Sequence, residues 1–130
     1  MRAYIAHSNN HRDDLKPAID CITQIIESCG HEAFVFTRHH TGPMTERELM
    51  NTTKREVDAS DLLIAELSHK AIGVGIEIGY ATAHHKPVIY IRKSDSEHST
   101  TASGISKVTI EYADLDDLRT KLTTVLEQLT

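Results

Sequence analysis

The densest chemistry in this sequence lies in one short run, Gly73-Val74-Gly75-Ile76-Glu77. Glycines leading into a helix let the backbone approach a ligand closely, and the unpaired N–H groups there favour an anion. On the glycines alone, a tight strand-to-helix turn is an equal reading. The dinucleotide pattern is incomplete because Ile78 stands where a third glycine belongs, and no Gly-Lys-Ser/Thr follows to cradle a triphosphate. Glu77 adds the reactive group. The pattern puts it in the first turn of a helix starting near Gly75, where the dipole holds a carboxylate ionised by about 0.3–1 kcal/mol. An ionised carboxylate facing a dry cleft can attack an electrophilic carbon. The plainer alternative is an acid that only complements the dipole.

A second polar group follows the first apolar run: Tyr4, His7, Ser8, Asn9, Asn10, His11 and Arg12. These side chains can hold a sugar hydroxyl, a phosphate or a base edge, with Arg12 giving a charge-assisted bond to phosphate. They can equally form a solvated loop in which Asn9 or Asn10 caps the next helix. The Ser/Thr stretch Ser99 to Ser103 reads as a connector. Nine histidines invite a metal, but His39-His40 and His84-His85 are adjacent pairs, whose rings point apart on a helix, and no cysteine lies near them. Neither a metal nor another cofactor is expected.

The elements that position these residues alternate along the chain. Ala3 to Ala6 is a β-prone run, and Leu15, Ile19, Ile22 and Ile26 mark a helix from Arg12 to Cys29 that Gly30 stops. Ala33 to Thr37 is a second strand. Thr45 and Glu48 form a capping box at the start of a polar helix that runs to about Ala59, with Leu49 and Val57 as apolar anchors. The unbroken run Leu62 to Ala65 suits a central strand covered on both faces. A helix to His85 follows, then a strand at Val88 to Ile91. Arg92 to Ser106 shows no periodicity, Val108 to Tyr112 is a weaker edge strand, and Leu115, Leu118, Leu122, Val125 and Leu129 place a closing helix. This order predicts an α/β fold, a flavodoxin- or Rossmann-like three-layer sandwich around a five-stranded parallel sheet in the order 2-1-3-4-5. Ligands bind such sheets at the carboxyl ends of strands one and three, where connectivity reverses, so the loops at His7 to Asp14 and Ser68 to Gly75 form the cleft.

The 130 residues fit a single domain spanning 1–130, large enough for a core without disulfides. Cys21 and Cys29 lie on one helix about 12 Å apart along its axis, too far to bridge. Two unpaired thiols suit a reducing cytoplasm. With 14 Lys+Arg against 19 Asp+Glu, the net charge of −5 argues against binding a nucleic acid polymer. No apolar run approaches the length of a membrane span.

The stretch ASDLLIAELSHKAIGVGIEIGYATAHHKPVIYI, Ala59 to Ile91, resembles the signature of the nucleoside 2-deoxyribosyltransferase family, which includes the 2′-deoxynucleoside 5′-phosphate N-hydrolases. The opening AYIAHS is similar to that family's first strand and loop. The resemblance implies that Glu77 attacks the anomeric carbon of a nucleoside or nucleotide. The base then leaves to water, or the sugar passes to another base. The candidate substrate-binding residues are Tyr4, His7, Ser8, Asn9, Arg12, Ile72, Gly73, Gly75, Thr101 and Ser103. The family habit of building sites across subunits implies a homodimer or larger homo-oligomer, with Thr101 and Ser103 reaching a neighbour's site. Two positions depart from the family pattern: Thr53 replaces an Asp eight residues before the Asp that opens the third strand, and Ala71 replaces a Ser of the phosphate-binding hydrolases. Glu46, Glu56 and Asp58 are candidates for the missing carboxylate. Rival readings are a non-catalytic nucleotide-binding or signalling module, and a TIR-like NAD-cleaving enzyme. A receiver domain on the same fold is disfavoured because His7-Ser8 ends the first strand in place of an acidic pair.

Overall fold

The computed structural model describes residues 1–129. Five strands form one sheet: β1 (Arg2–His7), β2 (Glu32–Val35), β3 (Leu62–Glu66), β4 (Val88–Lys93) and β5 (Val108–Tyr112). Their order is β2-β1-β3-β4-β5 and every pairing is parallel, as expected from the alternation. β3 is buried at every position because β1 and β4 flank it and helices cover both faces. Its continuous apolar run reflects that double coverage.

Alternate residues divide the core into two layers. Ala3, Ile5, Leu62, Ile64, Ile89 and Ile91 face α1 (Arg12–Ser28) and α6 (Leu115–Leu129), meeting Leu15, Ile22, Ile26, Leu118 and Leu122. Tyr4, Ala6, Leu63, Ala65, Val88 and Tyr90 face α3 (Glu46–Asp58) and α4 (Ile72–Ala83), meeting Val57, Val74, Ile78 and Ala81. Gly30 ends the α1 turn at φ +84°, a conformation costly for any other residue. The capping box forms: Thr45 Oγ1 accepts from the Glu48 N–H at 3.1 Å, and Glu48 accepts from the Thr45 N–H at 3.2 Å. Cys21 and Cys29 are both free. Among the described residues, no helix is long and apolar enough to cross a membrane.

Three sequence expectations need correction. β2 stops at Val35, and the chain turns into the short helix α2 (Phe36–His39), where His39 stacks on Phe34 at 4.6 Å and bonds the Val35 carbonyl at 2.9 Å. The aperiodic segment after β4 holds α5 (Thr100–Ile105), capped by Ser99 Oγ and tied to the core where the Ser99 N–H donates to the Tyr90 phenol at 3.0 Å. With Ala102 its one buried residue, α5 has no stripe to read. Leu49 is exposed and anchors no core.

Leu63 is fully buried in the layer beneath α4. Leu63→Ala should lower the unfolding free energy by about 2–5 kcal/mol in urea titration. A loss below about 1 kcal/mol would contradict this packing.

Candidate active site

A cleft of about 530 Å³ opens at the carboxyl ends of β1 and β3. The loop after β1 supplies one wall, and Lys70, Ala71, Ile72 and Gly73 supply another. Phe36 and Thr37 of α2, with Leu49, Met50 and Thr53 of α3, close the remaining side. Tyr4 and Glu77 also line this cleft.

The helix that carries Glu77 starts three residues earlier than the glycines suggest. α4 begins at Ile72, Ala71 is its N-cap without a side-chain cap, and the Gly75 N–H already bonds the Ala71 carbonyl at 3.2 Å. Gly73 and Gly75 are therefore helical, and Glu77 lies in the second turn, beyond the reach of the terminal dipole. The expectation of a dipole-held, fully ionised carboxylate is corrected accordingly. Val74, Ile78 and Ala81 pack on the sheet, and Glu77 turns towards β1.

There the Tyr4 phenol donates a hydrogen bond to Glu77 Oε2. Tyr4 is 2% exposed, and its ring is fixed against Phe34 at 5.4 Å. Two opposing effects set the protonation of Glu77. Burial pushes its carboxyl up and the phenol hydrogen bond pulls it part of the way back, for a net rise from 4.5 to about 7. Burial, and then the Glu77 charge, drive the Tyr4 phenol far above its ordinary range, so it stays a donor. The Thr53 side chain works in the other direction on the same phenol.

The loop after β1 is more ordered than its polarity suggests. Asn9–His11 forms a single 3-10 turn, and neither Asn9 nor Asn10 caps α1; its N-cap is His11, with no side-chain bond. Ser8 is buried, and its Oγ pairs with His11 Nδ1 at 3.0 Å. The His11 ring stacks on His69 of the β3–α4 loop, with centroids 3.9 Å apart and planes within 3°. Burial pushes the His7 imidazole down, and its Nδ1 lies 3.2 Å from the Ser8 carbonyl.

The structure thus brings Tyr4, His7, Ser8, Asn9, Ile72, Gly73 and Glu77 to one cleft. It does not bring the other candidates there. Arg12 is exposed at the head of α1, because the 3-10 turn carries the chain past the opening. Gly75 and Thr101 line a neighbouring cavity of about 450 Å³ between α4 and α5. Ser103 lines neither cavity, and its hydroxyl lies 3.4 Å from that of Thr109. None of the three proposed replacement carboxylates reaches the cleft either. Glu56 pairs with Arg2 and His40, Asp58 accepts from Tyr80 and pairs with His84, and Glu46 is exposed on the first turn of α3. Sequence reasoning missed Phe36, Thr37, Leu49, Met50 and Lys70. Leu49, Thr53 and Val57 share an i, i+4 stripe whose first apolar member has no core to enter, and that was the available signal.

A parallel α/β sheet with a half-buried acid at its switch point defines a ligand-binding α/β fold with a reactive group in its cleft. Residues 3–120 match the family model described as nucleoside 2-deoxyribosyltransferase, and the chain belongs to that family. A Thermofilum pendens protein provisionally named 2′-deoxynucleoside 5′-phosphate N-hydrolase 1 is 29% identical over 97% of this chain and 95% of its own length. The fold is shared with the Clostridium botulinum CMP N-glycosidase BcmB (TM-score 0.72, 21% identity, 94% of this chain and 98% of that one). It is shared too with a 2-deoxyribosyltransferase from Bacillus psychrosaccharolyticus (TM-score 0.71, 14% identity, 92% and 90%).

The raised carboxyl of Glu77 has a stability signature. The native state binds this proton more tightly than the unfolded chain, so the cost of burying the charge is absent well below pH 4.5, grows between 4.5 and about 7, and is complete above that. Glu77→Gln removes the charge. It should stabilise the protein by on the order of 2–3 kcal/mol at pH 8 and change little at pH 4, measured by urea unfolding at both pH values. Equal effects at the two pH values would contradict the burial.

Proposed function

We propose that this protein cleaves the N-glycosidic bond of a 2′-deoxynucleoside or its 5′-monophosphate, with Glu77 as the nucleophile. The observation that carries the reading is the Tyr4 phenol donating to a half-buried carboxylate on the cleft wall. The bond favours the charged form that attack needs, and burial strips that charge of the water that would blunt it. Glu77 attacks the anomeric carbon as the base departs through an oxocarbenium-like state, giving a glycosyl-enzyme ester. Water or a second base then takes the sugar, which makes the protein a hydrolase or a transferase. Family membership supports this chemistry. The Thermofilum relative's name, a 5′-phosphate N-hydrolase, supports a monophosphate as the substrate.

The bare N-terminus of α4 at Ala71 to Gly73, bordering the cleft, suits that phosphate through backbone N–H groups. Ile72, Ile76 and Ile105 leave an apolar face exposed beside the site, at 86%, 51% and 43%. Such a face supports a homo-oligomer in which a second copy covers it. The free thiols suit a single-domain protein of the cytoplasm. The presence of one carboxylate in the cleft favours a second reading, a nucleotide-binding module without turnover.

The test is a panel of nucleosides and 5′-monophosphates, with released base measured by chromatography. Turnover of at least one 2′-deoxy substrate is expected, with kcat/KM falling as pH drops below about 7 and Glu77 takes up its proton. Glu77→Gln should lower turnover by at least about 10³-fold, the scale of losing an essential nucleophile. Tight monophosphate binding without base release would favour the binding module, and near-normal release by Glu77→Gln would overturn the nucleophile.

A further inference from the structure

Departure of the base leaves electrons on a ring nitrogen, and a positioned acid accelerates this step by about 10²–10⁴-fold. Glu77 cannot be that acid while it acts as the nucleophile. Among the described residues, the cleft-lining side chains able to carry a proton are Tyr4, His7, His11, Lys70 and Glu77. Tyr4 already donates to Glu77. Lys70 is exposed and ion-paired with Glu97 at 2.9 Å. Burial pushes the His7 imidazole down and so disfavours its protonated form, and its Nδ1 is turned to the Ser8 carbonyl. His11 remains.

We propose that His11, held by Ser8 and stacked on His69, is the catalytic residue that protonates the leaving base; this role rests on the N-glycosidase reading above. Ser8 Oγ lies 3.0 Å from Nδ1 and can accept a proton bond there, which fixes the ring and leaves Nε2 as the second proton site. No hydrogen bond to Nε2 is found among the described residues. The coplanar His69 ring, 3.9 Å away, sets the plane of the imidazole and ties it to the loop leading into the Glu77 helix. The step balances. Glu77 forms a bond to C1′ as the C1′–N bond breaks, and those electrons take the Nε2 proton onto the base. In hydrolysis, water then attacks C1′, releases Glu77 and returns a proton to Nε2. The free base, the sugar and an unchanged enzyme result.

The test compares two substrates with the full chain. One is 2′-deoxyguanosine 5′-monophosphate; the other is its N7-methylated form, whose base leaves as a neutral species without protonation. His11→Asn keeps a polar partner for Ser8 and removes the acid. It should lose at least about 10²-fold in kcat on the ordinary nucleotide and less than 10-fold on the methylated one. His11→Gln serves as the second variant if the first has a lowered thermal midpoint. Equal losses on both substrates would make His11 structural, and no loss on either would exclude it as the donor; both outcomes overturn the proposal. If the wild-type protein releases base from neither substrate nor from the wider panel, the N-glycosidase reading fails and His11 has no such role.

Discussion

The hydrogen bond from Tyr4 to Glu77 is the contact on which the site depends. A carboxylate beside the core is costly in its charged form, and an unpaired one would simply stay protonated. The phenol brings the charged form within reach near neutral pH. For that, Tyr4 must sit in a central strand with its side chain on the α4 face, and α4 must present Glu77 one turn inside its N-terminus. Both conditions follow from the sheet order, which places β1 beside β3 and sends the β3 chain directly into α4.

The strand ends are fixed by a second buried acid. Glu66 is fully buried on the α1–α6 face, opposite in direction to Tyr4. It accepts from the Ser68 N–H at 2.6 Å, the Ser68 hydroxyl at 2.9 Å and the Tyr112 phenol at 2.5 Å. Ser68 Oγ also accepts the Lys93 N–H at 2.9 Å. This network joins the ends of β3, β4 and β5 and sets the course of the turn through His69 to Ala71. The same turn carries the His11 stack and the start of α4. Buried polar groups satisfied in this way specify one arrangement of the loop over others.

Much of this was readable in the residues. The unbroken run Leu62 to Ala65 placed the central strand, Thr45 and Glu48 placed the α3 cap, and Gly30 placed the end of α1, because each is a local rule with a local cause. The start of α4 is not legible because two glycines look like a loop, whereas here helical packing of Val74 and Ile78 on the sheet overrides their weak propensity. The dipole argument for Glu77 fails for the same reason. The Tyr4–Glu77 bond joins residues 73 positions apart, and no spacing rule reports such a pair. Proximity to the loop suggests Arg12 for the site, and the 3-10 turn at Asn9–His11 that carries it outside leaves no mark in the residue pattern.

The most direct test of the central claim is a carbon NMR titration of the side-chain carboxyls in protein labelled at glutamate, with Glu77 assigned through Glu77→Gln. One resonance titrating at about 7 is expected, and it moves to higher pH in Tyr4→Phe because the phenol bond no longer favours the charged form. A Glu77 resonance titrating near 4.5 in both proteins would show a solvated carboxylate with no working partner, and would contradict the account.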